Sequence, residues 1–168
     1  MPAGLILLRV APLLASSSYI TFTVSEDIYL RPFGAFRPDL RLQANRIIPA
    51  YKDRWFPPSL AVIFIMYPLG IGTAVANLVS RHGSLDISGA SGSSQRIAGY
   101  FYAAGAIFGA LHFAFGPHDL KILKRISEKD KNNEMAVADW VRMSLVRGLV
   151  ADFPSWLCYF LGFMFAVE

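Results

Sequence analysis

Six side chains in or beside apolar runs could move protons, attack carbon or stabilise charge: Asp152, Glu26, Asp27, His112, Arg147 and Tyr19. A carboxylate can activate water or attack an electrophilic carbon. A histidine, a phenol or a second carboxylic acid can then protonate, or hydrogen-bond to, the oxygen that leaves. Asp152 is the centre of the set. It stands seven positions into the last apolar run, about 10 Å below the helix end at about 1.5 Å per residue. An ionisable group at that depth is costly and has to find a partner or a water-filled cavity. Its competing role is structural, as an acid that only pairs helices.

Spacing puts Asp152 on an inward face, since Gly148, Asp152, Ser155 and Tyr159 follow i, i+4, i+7 and i+11. Pro154 cannot donate to the Val150 carbonyl, so a kink or a freed acceptor is expected beside Asp152. Arg147, five residues earlier, lies about 140° around a regular helix and should pair with another span. Asp139 and Arg142, three apart, can pair with each other on the surface. His112 shares a stripe with Gly105, Gly109 and Gly116, and glycines at that spacing let helices approach closely; a packing histidine would satisfy the same pattern. His118 and Asp119 follow, but two histidines and scattered acids make only a weak metal signature, and no metal is expected. On the first span Tyr19, Thr23 and Glu26 share a face with Asp27 adjacent, although solvated helix-end acids are the plain alternative. Thr73 and Asn77 read as helix-packing polar groups.

These residues must be positioned by helices in lipid. The chain is 54% hydrophobic with mean hydropathy +0.41, above the range of most water-soluble domains. Four runs, Leu5 to Val24, Ser59 to Ser80, Ile97 to Phe115 and Leu145 to Val167, can each cross a hydrocarbon core of about 30 Å. They lack the alternation of a barrel strand, so the expected fold is all-α: one integral membrane four-helix bundle over residues 1–168. The first run also resembles a cleavable signal peptide ending near Ala15-Ser16-Ser17-Ser18. It has no basic leader, however, and runs on through Phe22, so an uncleaved span fits better. Six basic residues fall in 25–58, six in 116–144 and only Arg81 and Arg96 between the middle spans. That asymmetry makes 25–58 and 116–144 cytosolic loops. The first of them, with five prolines and Tyr51, Trp55 and Phe56, is expected to be ordered or to lie at the interface, where it can act as a lid. Leu120 to Glu134 is expected as a helical extension or a connector. With four crossings, Glu26, Asp27, His112, Arg147 and Asp152 all come to one membrane face.

The net charge of +4 lies in those two stretches rather than along one exposed face, which argues against nucleic acid as a partner. The single cysteine, Cys158, rules out an intramolecular disulfide and carries no argument about compartment. Expected partners are membrane lipid, a lipophilic small molecule, and a second copy or other enzymes of one pathway. The endoplasmic reticulum is the default location.

Asn133 to Trp156, NEMAVADWVRMSLVRGLVADFPSW, resembles a pattern in small fungal integral membrane proteins of secondary-metabolite pathways. The shared features are Trp140 before the span, Arg147, and Asp152-x-Pro154-x-Trp156. Among these the chain is most similar to membrane epoxide hydrolases of aurovertin- and citreoviridin-type polyene polyketide pathways. The resemblance covers the last span and the four-span layout, and implies opening of polyene epoxides without a redox cofactor. In that chemistry Asp152 would act as base, and Glu26, Asp27, His112 or Tyr19 would supply the acid. A cofactorless membrane oxygenase resembling the anthrone oxygenases, and a non-enzymatic scaffold using the Gly105/Gly109 face, are the two competing functions.

Overall fold

The computed structural model describes residues 3–34, 38–80, 93–128 and 132–168. Arg37, and the Gly/Ser-rich connector with Arg81, lie outside the described residues. Helix α1 is Ala3–Gly34; a 3-10 turn at Pro38–Leu40 leads into α2, Arg41–Val79; α3 is Ser93–Leu111. A second 3-10 turn, His112–Phe115, joins α3 to α4, Gly116–Ser127. Helix α5, Asn133–Arg147, continues through a π turn, Gly148–Asp152, into α6, Phe153–Val167. The fold is all-α, and Ala3–Phe33, Arg41–Val79, Ser93–Ser127 and Asn133–Val167 are long and apolar enough to cross a membrane. Their outward faces carry large apolar side chains such as Leu7, Phe64 and Ile107, as lipid contact requires.

These long apolar helices form a closed square in which α1 packs on α2, α2 on α3, α3 on α6 and α6 on α1. Much of 25–58 and 116–144, expected as loops, is helical continuation of the square. There the ends of α1 and α2 meet α4 and α5 in an apolar cap built on Leu30, Ile48, Ile122, Ile126, Val137 and Trp140. The apolar positions Ile122, Leu123 and Ile126 fall on one face of an otherwise charged α4, so helix formation and cap packing are one event. At the opposite end, Ala74, Ala98, Tyr102, Tyr159 and Ala166 form a second apolar layer. Arg9 is buried there; its guanidinium donates to the Ala166 carbonyl, and Tyr102 donates to the Arg9 carbonyl at 2.7 Å. Asn77 bridges helices by donating to Leu8 O at 2.9 Å, whereas Thr73 bonds back to Leu69 O within α2 at 2.6 Å.

Two prolines set the local irregularities. Pro117, near the start of α4, cannot donate to the preceding turn, and the chain there tightens so that Gly116 N–H reaches Phe113 O. Pro154 leaves the Val150 carbonyl without its usual donor, and here the helix widens so that Phe153 N–H reaches Gly148 O, five residues back. The small-residue stripe on α3 packs as expected at Gly105 and Gly109. Gly116 does not, because the 3-10 turn shifts the register and leaves open space over it. A Cβ at Gly105 would stand 2.5 Å from the Tyr159 ring, which is itself fully buried.

Gly105→Ala should therefore lower stability by about 1–3 kcal/mol through overpacking, while Gly116→Ala stays close to wild type. Thermal unfolding of both variants in detergent checks the contrast, and equal behaviour of the two would contradict this packing.

Candidate active site

Between the two apolar layers lies a buried polar belt centred on Asp152, which is 1% exposed. Its Oδ1 accepts a hydrogen bond from the Tyr67 hydroxyl at 2.9 Å and lies 2.9 Å from His112 Nδ1. Oδ2 faces Thr23 Oγ1 at 3.4 Å, the weak limit of such a bond. Tyr67 is held between two rings: Tyr19 stacks on it at 4.0 Å with planes 9° apart, and His112 lies at 3.9 Å. Tyr19 shares a 2.7 Å hydrogen bond with Ser155 Oγ, and Ser155 donates to Gly105 O at 2.8 Å. With Nδ1 donating to the carboxylate, Asp152 fixes the tautomer of His112 and leaves Nε2 as the nitrogen free to exchange a proton.

A second cluster adjoins the first along the chain. Arg147, 3% exposed, donates through Nη1 to Asp119 Oδ2 at 2.6 Å and pairs through Nη2 with Glu26 Oε2 at 3.7 Å. Ser144 Oγ donates to the same Glu26 oxygen at 3.3 Å. One guanidinium thus serves two buried carboxylates, an arrangement whose desolvation cost only such pairing offsets. The π turn helps to place it: an extra residue in the turn brings the fifth residue round towards the face that the fourth would occupy. Arg147 and Asp152 therefore both point inward, closer in phase than a regular helix allows.

The structure joins Asp152 to His112 and Arg147 to Glu26, and it sets Tyr19 behind Tyr67 rather than on Asp152. Asp27 stands apart on the flank of α1, paired with Arg31 at 2.8 Å. His118 is exposed on α4. The surface pair expected between Asp139 and Arg142 is replaced by one between Asp139 and Arg125 at 2.8 Å, because α4 lies alongside α5. Sequence reasoning did not include Tyr67, or Asp119 as the Arg147 partner. The signal for Tyr67 was present, a hydroxyl deep within an apolar run beside Pro68. Asp119 was visible only as an acid just past a span. Among the described residues no three His, Cys, Asp or Glu side chains gather as a metal site.

Two cavities flank the belt. One, of about 240 Å³ between α1 and the π turn, is bordered by Thr23, Asp27, Ser144, Gly148 and Asp152. The other, of about 170 Å³ between α2 and the His112–Phe115 turn, α4 and α5, has aromatic walls from Phe56, Phe64, Phe113 and Trp140, with His112, Asp119 and Arg147 beside them. Here a potential base and a cation border the same apolar space.

Fold and site together define an all-helical bundle, long and apolar enough to span a membrane, with acid–base groups packed into its interior. Along nearly its whole length the chain is similar to three fungal homologues named as epoxidases. The probable epoxidase scpX of Mollisia scopiformis is 29% identical over 156 residues, covering 91% of each chain. Epoxidase pydX of an Acremonium species is 27% identical over 162 residues, 91% of this chain and 90% of its own. Epoxidase gkaX of Penicillium citrinum is 26% identical over 166 residues, 96% of each. The expected resemblance to small fungal proteins of epoxide chemistry, placed on the last span and the four-span layout, extends over most of the chain. No family model matches, and no solved structure does.

Arg147→Leu should leave Glu26 and Asp119 buried without their shared counter-charge, at a cost of about 3–5 kcal/mol. Arg31→Leu, which releases only the flank pair with Asp27, should unfold close to wild type. Chemical or thermal denaturation in detergent reads the difference, and a mild Arg147→Leu phenotype would count against a buried bridge.

Proposed function

We propose that this protein is a membrane-embedded enzyme of epoxide chemistry, acting on a lipophilic polyene polyketide in fungal secondary metabolism. The names of the three relatives support the epoxide, and the buried polar belt supports an enzyme rather than a scaffold. The step favoured by the geometry is ring opening, by hydrolysis or cyclisation. One observation carries it: His112, held by Asp152, and Arg147 border the same aromatic cavity. A cavity of about 170 Å³ takes a short stretch of chain, so the remainder of a long substrate would lie in lipid.

In this reading His112 Nε2 takes a proton from water or from a hydroxyl of the substrate. That oxygen bonds to an epoxide carbon as the ring C–O bond breaks, and its electron pair goes to the departing oxygen. Arg147 stabilises the oxyanion, which then receives the proton from the imidazolium. Water yields a diol, whereas an internal hydroxyl yields a cyclic ether, so the same groups serve both outcomes. Asp152 holds the tautomer and steadies the imidazolium, and Tyr67 holds Asp152. The sequence-based roles shift accordingly, with His112 as base and Asp152 as its orienting partner. By the positive-inside rule the end of the bundle that carries α4 and its basic residues faces the cytosol, with the endoplasmic reticulum as the proposed membrane.

The second reading is formation of the epoxide itself, favoured by the names of the relatives. Purified enzyme supplied with a polyene and, separately, with its epoxide separates the two. Product from the epoxide carrying oxygen from labelled water, or cyclised without label, supports ring opening. Label from dioxygen appearing in an epoxide made from the polyene supports oxygen transfer and overturns the first reading. For ring opening, Asp152→Asn should reduce turnover by roughly a hundredfold or more with the fold intact by circular dichroism. Tyr67→Phe should produce a smaller loss, of roughly tenfold, consistent with the removal of one hydrogen bond. Normal turnover by Asp152→Asn removes the pair from the mechanism.

A further inference from the structure

On the outer face of the α4–α5 pair is a groove of about 510 Å³ that the polar belt does not use. His118, Lys121 and Arg125 line it from α4 at intervals of three and four residues, which places them on one helical face, and Arg142 lines it from α5. Asp139 is the carboxylate among the lining residues, and it is taken by Arg125 at 2.8 Å. Lys121 and Arg142 have no hydrogen-bond or ion-pair partner among the described residues. Unpaired cations converging from two helices make a site for an anion.

The floor of the groove says which anion. Met143 and Val146 form its apolar side, and Val150 stands exposed one turn further on. Val146 and Val150 are 45% and 47% exposed. A cationic pocket thus opens onto an apolar track at the start of a span. A free phosphate would use the pocket and leave the track bare, and a soluble acidic protein could not follow the track below the membrane surface. An amphiphile with an anionic head and acyl chains matches both parts. Basic pockets between helices on the cytosolic side are well suited to such headgroups, and each cation adds to the hold on an anionic surface.

We propose that this groove binds an anionic glycerophospholipid, with its phosphate between Lys121 and Arg142 and one acyl chain along Val146 and Val150. The lipid would tie α4 to α5 beside the Arg125–Asp139 pair. It would hold the cap on the bundle from outside, as the buried Arg147 bridge does from within.

The test uses the full-length protein in a neutral detergent, titrated with dioctanoyl phosphatidic acid, dioctanoyl phosphatidylcholine or inorganic phosphate while thermal unfolding is followed. Phosphatidic acid should raise Tm saturably, and phosphatidylcholine and phosphate should not. The double variant Lys121→Gln/Arg142→Gln changes two exposed, unpaired side chains, so its Tm without lipid should match wild type. Its affinity for phosphatidic acid should fall by roughly tenfold or more. An equal response to phosphatidylcholine overturns the charge recognition. An equal response to inorganic phosphate overturns the lipid, and undiminished phosphatidic acid binding by the double variant overturns the site.

Discussion

Carboxylates taken out of water must be met by donors, and in this bundle Glu26, Asp119 and Asp152 are buried on three different elements. Arg147 answers two of them, and the Tyr67 hydroxyl with the His112 ring answers the third. The order of the helical square follows from that requirement as much as from apolar packing, because α1, α2, α3, α4 and α5–α6 each contribute one end of a polar contact. Leaving one of these groups unmet would cost as much as a well-packed core residue contributes. The apolar layers above and below keep water from meeting the need instead.

That constraint also explains why the belt suits chemistry. Tyr67 is clamped between Tyr19 and His112, and His112 is fixed by Asp152, so a proton-transfer group is held in one orientation by groups that are themselves held. Preorganisation of this kind lowers the cost of reaching a transition state, since little has to move when charge develops. The aromatic cavity beside His112 and Arg147 is small and sits against the outward faces of the helices.

Much of this was legible in the sequence. Four long apolar runs read as helices long enough to cross a membrane, and the depth of Asp152 marked it as a group in need of partners. The inward stripes on the third and last spans followed from spacing of three and four residues. What escaped were the consequences of irregular backbone. The 3-10 turn at His112 ended the glycine stripe before Gly116, and the π turn after Arg147 changed its angle to Asp152; neither can be read from a regular 3.6-residue period. Partner choice escaped too. Asp139 found Arg125 because α4 lies against α5, and Tyr67 found Asp152 across the bundle, both being tertiary facts. The two polar stretches looked like loops because their charges masked the apolar positions that build the cap.

The π turn makes the count of residues itself a structural variable. Within Gly148–Asp152 one residue is accommodated that a regular helix would not hold. Closing that turn to ordinary helical pitch with every residue kept would turn everything beyond it by about 100°. Ser155 and Tyr159 would leave the interior and Phe153 or Trp156 would be driven toward it, although no side chain in the belt had been altered. A point substitution at Asp152 removes one group, whereas loss of the wide turn would dephase the whole of α6, and deleting one residue as the turn closes would keep α6 in phase. The spacing from Arg147 to Ser155 therefore carries as much information as the residues at either end.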